Sequence, residues 1–139
     1  MNKEVVPLPV RRHKLVAPVR KVIGDQDVVI GVSGGADSVA LLLLCVAGSL
    51  QESAQYKIVA GHIHHGLRAD SDDEQIFVET LCKNLGVECI TKRVTVSPIN
   101  GSLAAGARDA RYEALLAIAQ ESNCSAVAVA HHAQDQLET

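Results

Sequence analysis

Four short apolar runs punctuate the chain, with longer mixed stretches between them. Residues 27–33 (DVVIGVS), 57–65 (KIVAGHIHH), 87–96 (VECITKRVTV) and 125–132 (SAVAVAHH) have the length and β-branched content of strands, and their apolar clustering predicts burial. The stretches between them predict helices. Residues 36–47 are apolar nearly all round, so that helix should be enclosed. SDDE at 71–74 has the form of a capping box, Phe77, Leu81 and Leu85 mark the apolar side of the helix it opens, and Gly86 stops it. Ser102 is placed to cap a further helix running to about residue 122. Near the N-terminus, Pro7 and Pro9 precede a predicted helix over 10–23, with a kink at Pro18 and a stop at Gly24.

Strands that alternate with helices predict an α/β fold: a twisted parallel sheet with helices on both faces. No repeat or low-complexity tract interrupts the pattern. The 139 residues suit one domain, 47% hydrophobic but with only three aromatics, so Ala, Val and Leu must fill the core. No apolar run approaches the ~18 residues that span a bilayer. The first residues lack the charged-then-apolar order of a signal peptide, which leads us to expect a cytoplasmic protein with no membrane partner. Cys45, Cys82, Cys89 and Cys124 form no C-x-x-C pair and read as buried free thiols.

Charge divides the chain. Residues 1–21 carry a net +5 and the remainder −8. We therefore separate an N-terminal basic helix, 1–24, from the body of the domain, 25–139. The basic arm suits a solvated helix face or a contact with nucleic acid, but the whole chain lacks the basic excess of a free-standing nucleic-acid binder.

The join between the first strand and the next helix carries the chemistry. It reads SGGADS, residues 33–38. In an open parallel sheet, ligands bind at the carboxyl ends of strands. The first amides of a helix have no partner within it, and they favour an anion. Gly34 and Gly35 let a phosphate approach closely, while Ser33 and Ser38 offer hydroxyl donors. The turn is neither G-x-x-x-x-G-K-S/T nor G-x-G-x-x-G. Asp37 would repel a bare phosphate, yet it could hold Mg2+ that the phosphates share.

SGGADS resembles the SGGxDS signature of the PP-loop ATP pyrophosphatases. Three further stretches resemble the tRNA(Ile)-lysidine synthetases of that superfamily: HIHHGLRADSDDE at 62–74, ARDARYEAL at 107–115 and AHHAQDQLET at 130–139. The order of the motifs matches the N-terminal part of that family. The resemblance implies a PP-loop fold of the adenine nucleotide alpha hydrolase type. It also implies a ligase that uses ATP and Mg2+ to adenylate the wobble cytidine of an isoleucine tRNA with a CAU anticodon. Free L-lysine then displaces AMP. The loop grips pyrophosphate, so no Walker lysine is needed.

By the same resemblance, Ser33, Gly34, Gly35, Ala36, Asp37, Ser38, Ile63, His65, Gly66 and Arg68 contact ATP. Asp37, Arg108, Arg111, His132 and Asp135 serve catalysis, and Asp37 and Asp135 hold Mg2+. Arg108 and Arg111, three apart, share a helical face and suit charge on the α-phosphate or the tRNA backbone. The family usually has two Asp where this chain has Gln134 and Asp135, so the acidic role passes to Asp135 alone; it often has Asp or Asn where His64 stands.

Other readings of the same residues are a non-catalytic ATP- or AMP-binding module, another PP-loop tRNA-modifying enzyme, and a zinc site formed by the strand-end histidines with Asp135. AQDQLET at 133–139 has the form of a first helical turn that goes no further, so we expect a domain incomplete at its C-terminus. An incomplete sheet would leave an edge open to a second copy, which suggests a possible homodimer.

Overall fold

The computed structural model describes residues 8–50, 56–66 and 71–130. Its elements run α1 (Leu8–Arg11), α2 (Val16–Ile23), β1 (Val28–Gly31), α3 (Ala36–Ser49), β2 (Ile58–His64), α4 (Ser71–Leu85), β3 (Glu88–Arg93), α5 (Leu103–Glu121) and β4 (Ala126–Val129). The four strands form one sheet in the order β3-β2-β1-β4, and every pairing is parallel. This is the expected α/β architecture.

Alternation along the strands divides the core in two. Val28, Ile30, Ile58 and Ala60 face α2, α3 and α4, where they pack with Val16, Ile23, Leu42, Val46, Val78 and Leu85. Val29, Val59 and Ile63 point to the opposite face, where Ala114, Leu115 and Ile118 of α5 cover them. The all-round apolar character of α3 now has a cause. The helix lies on β1 and β2 and is itself covered by α1 and α2.

Two strand glycines set how closely α5 sits. Gly31 and Gly61 are paired in register across β1 and β2. A Cβ on Gly61 would lie 2.8 Å from Leu115 Cδ2, and one on Gly31 3.0 Å from Leu115 Cδ1. The side chain of Leu115 fills the space that the two glycines leave.

Three local expectations change. The single N-terminal helix over 10–23 is two helices, broken around residues 12–15, where the Leu15 amide donates to His13 Nδ1 at 3.1 Å. Pro18 does not kink α2, because it occupies the first turn, where its missing N–H would have had no intrahelical partner. On α4 the buried positions are Val78, Cys82 and Leu85, while Phe77 is 50% exposed. The apolar stripe is rotated from the expected one because β2 and β3 pack on that side of the helix. Ser102 caps α5 as expected, accepting from the Ala105 amide at 3.1 Å. The four cysteines are free, with Cys45 and Cys82 buried, and burial pushes the Cys45 thiol up to about 12.

Candidate nucleotide site

Parallel pairing brings the carboxyl ends of β1, β2 and β4 to one side of the sheet. The SGGADS turn sits at the middle of that edge. Its shape comes from a compact set of hydrogen bonds around Ser38, which is only 4% exposed. The Ser33 amide donates to Ser38 Oγ at 2.9 Å. Ser38 Oγ in turn donates to the carbonyl oxygens of Ser33 at 3.0 Å and Gly35 at 3.1 Å. With that proton engaged, Ser33 Oγ is the donor across its 3.0 Å contact with Ser38 Oγ. Ser33 Oγ also accepts from the Gly35 amide at 3.2 Å. Ser38 thus braces the turn from inside.

This bracing makes a direct prediction. Ser38→Ala strips the Ser33 amide and hydroxyl of their acceptor. Stability should fall by about 1–2 kcal/mol, read from the midpoint of urea unfolding, and nucleotide affinity should fall with it.

Behind the turn, His62 supplies a second brace. It is 2% exposed, and its Nδ1–H donates to the carbonyl oxygen of Val32 at 2.8 Å. The bond sets the tautomer and holds the residue that enters the turn. In front, the Gly34 amide donates to Glu74 Oε1 at 2.7 Å, across 40 residues of sequence. A carboxylate therefore occupies the place where an anionic ligand would meet this amide. Gly35 is the N-cap of α3, extended at φ −73° and ψ 149°, and it offers no side chain to its own helix. Ala36 and Asp37 follow in the first turn, both exposed.

Beside the turn lies a cavity of about 210 Å³, lined by His62, Ile63, His64, His65, Ser71, Glu74 and Ala107. It joins the end of β2 to the start of α4 and the first turns of α5. His64 is buried, and its Nε2 donates to Asp72 Oδ1 at 2.7 Å, while Arg93 Nη2 reaches the same carboxylate oxygen at 3.3 Å. The His64 hydrogen bond, then that of Arg93, holds the Asp72 carboxyl below its ordinary range.

The structure gathers Ser33, Gly34, Gly35, Ala36, Asp37 and Ser38 in the turn, with Ile63 and His65 at the adjoining cavity and the exposed Gly66 just beyond them. Arg108 and Arg111 are half-buried on α5, just after the cavity-lining Ala107. Arg68, His132 and Asp135 lie outside the described residues, as does most of the 130–139 motif. β4 pairs directly with β1, the neighbour relation on which a meeting of Asp37 and Asp135 depends. Among the described residues, no group of three His, Cys, Asp or Glu side chains is close enough to hold a metal ion. Likewise, no helix there is long and apolar enough to cross a membrane.

The family model of the PP-loop domain matches residues 9–139. The chain belongs to the PP-loop family. It is similar to the tRNA(Ile)-lysidine synthase of Bacillus cereus, 41% identical over an alignment of 121 positions that covers 82% of this chain and 25% of that protein. Identity to the synthase of Clostridium perfringens is 37%, covering 84% of this chain and 25% of that one. For the synthase of Actinobacillus pleuropneumoniae serotype 3 it is 40%, covering 83% and 25%. The chain spans about a quarter of the length of these curated relatives. Among solved structures, the U34-tRNA thiolase NcsA from Methanococcus maripaludis shares the fold, with a TM-score of 0.68 at 17% identity, over 90% of this PP-loop chain and 47% of its own.

Sequence reasoning took Glu74 as the local partner in a capping box and did not assign it to the nucleotide turn. His62 enters the sequence pattern through the HIHHGLRADSDDE motif and the zinc reading, neither of which makes it a brace of the turn. Both roles depend on β2 lying next to β1, which places the start of α4 beside the turn after β1. No local sequence signal carries that information.

Proposed function

We propose that this PP-loop domain binds MgATP and serves a tRNA(Ile)-lysidine synthase. In that reaction the wobble cytidine of an isoleucine tRNA with a CAU anticodon attacks the α-phosphorus of ATP and pyrophosphate leaves. The amine of free lysine then attacks the activated ring carbon, and AMP departs. The supporting observation is the anion-ready turn: six residues braced from within by Ser38, with the Gly34 amide already donating to a carboxylate. Identity near 40% to the named synthases supplies the tRNA and lysine.

Each residue has a part in this reading. The amides of Gly34 and Ala36 hold the departing pyrophosphate, the Gly35 amide and the Ser33 hydroxyl join them by giving up their bonds within the turn, and Ser38 keeps the turn in place. The end of β2 at Ile63, His65 and Gly66, continued by Arg68, takes the nucleoside side. Mg2+ would neutralise phosphate charge, and the exposed carboxylate of Asp37 is the hard oxygen donor such an ion requires, with Asp135 as its partner. Arg108 and Arg111 take charge developing on the α-phosphate, while His132 donates to a phosphate oxygen and Asp135 accepts a proton from the lysine amine. We place the protein in the cytoplasm, and the outer edges of β3 and β4 are where a second copy would add.

The test is incubation with α-labelled ATP, the tRNA and lysine. AMP, pyrophosphate and a lysidine-modified tRNA are the expected products. Nucleotide binding with no modified base would favour a binding module, and ADP with phosphate would contradict the reading.

A further inference from the structure

We infer that Glu74 is a displaceable internal anion, which occupies the nucleotide turn when no ligand is present and must be expelled by the incoming polyphosphate. The inference rests on the turn being the phosphate site proposed above.

Its basis is the position of one carboxylate. Glu74 lies in the first turn of α4 and reaches across to the turn after β1, where Oε1 accepts from the Gly34 amide at 2.7 Å. That length is typical of a hydrogen bond to an ionised acceptor. The side chain also lies over the glycine itself. A Cβ built on Gly34 would meet Glu74 Cγ at 3.0 Å and Oε1 at 3.2 Å. Gly34 is otherwise exposed, so the carboxylate stands on the side from which a ligand would reach the amide. Glu74 also lines the adjoining cavity, which gives it somewhere to withdraw.

The chemistry forces a choice. One amide proton cannot serve a carboxylate and a phosphate oxygen equally, and a polyphosphate brought against an ionised Glu74 is repelled. Asp37, exposed on the first turn of α3, already contributes a carboxylate to the same turn. If Glu74 stayed in place, the entering anion would face both. If it leaves, the freed amide meets the phosphate. The resting contact keeps the Gly34 amide satisfied and the turn in its binding shape, and binding exchanges one anion for another.

The experiment measures Mg2+-pyrophosphate binding by calorimetry for the wild-type chain and for Glu74→Ala, Glu74→Gln and Asp73→Asn. Asp73→Asn removes the exposed charge next to Glu74 in the sequence. The dissociation constant should fall about tenfold in Glu74→Ala and less in Glu74→Gln, with a change below about twofold in Asp73→Asn. Equal or weaker binding in Glu74→Ala would overturn the inference, since it would make Glu74 a ligand or a bystander.

A second readout needs no ligand. The Gly34 amide proton resonance should move upfield in Glu74→Ala, and an unmoved resonance would also overturn the inference. A shifted Gly34 resonance with no pyrophosphate binding to any form would instead refute the phosphate reading of the turn, and the competition with it.

Discussion

Gly106→Ala should cost about 3 kcal/mol of stability, even though alanine is the better helix former by about 1 kcal/mol. The reason is backbone contact. A Cβ on Gly106 would lie 1.9 Å from the Ser97 carbonyl oxygen, 2.8 Å from its carbon and 3.3 Å from Pro98 Cα. No side chain can rotate to relieve that overlap, so the loop or the helix must move.

The loop is poorly able to move. The Ile99 amide donates to the Ser102 carbonyl at 3.0 Å, and the Ser102 amide returns a bond to Ile99 at 2.9 Å. Ser102 then caps α5 through the Ala105 amide. Shifting the loop therefore threatens the cap of the helix that carries Ala107, Arg108 and Arg111. Overpacking costs typically 1–3 kcal/mol and sometimes more, and here the obstacle is backbone, tied on its C-terminal side by the Ile99–Ser102 pair. Urea unfolding measures the effect, and a variant as stable as wild type would show that helix and loop are not locked together. ATP affinity should fall too, because Ala107 lines the cavity beside the turn.

The fold was legible in the sequence where one residue's neighbours along the chain determine its role. The runs at 27–33 and 57–65 became β1 and β2 because β-branched residues buried on both faces have few other uses. Ser102 was readable as a cap, and Gly24 and Gly86 as stops, because capping is local. What needed the third dimension was not readable. Gly31 and Gly61 look like weak points in their strands until Leu115 is seen to fill the space between them. Phe77 fitted an apolar stripe, but the sheet packs on the side carrying Val78 and Cys82. The turn's glycines and serines were visible. That Ser38 braces the turn depends on how these six residues fold, and that Glu74 enters it from α4 depends on which strands are neighbours.

The second large effect concerns a single amide of the turn. Ala36 is the first helical residue of α3, exposed and preceded by an extended Gly35. Proline is welcome at that position, since its ring presets the helical φ and the N–H it lacks has no partner within the helix. The residue before a proline must be extended, and Gly35 already is, at φ −73° and ψ 149°. Ala36→Pro should therefore fold normally, with a melting temperature within roughly 2 °C of wild type. It deletes one backbone donor from the proposed phosphate cradle and leaves every side chain of the turn in place. A hydrogen bond to a charged group contributes about 1.5–3 kcal/mol, equivalent to about 10–100-fold in affinity.

Calorimetric titration of the Ala36→Pro chain with MgATP, beside wild type, tests most directly whether the α3 amides hold the polyphosphate. A folded variant whose affinity has dropped by that factor is the predicted result. A folded variant that binds MgATP as tightly as wild type would mean the phosphates lie elsewhere.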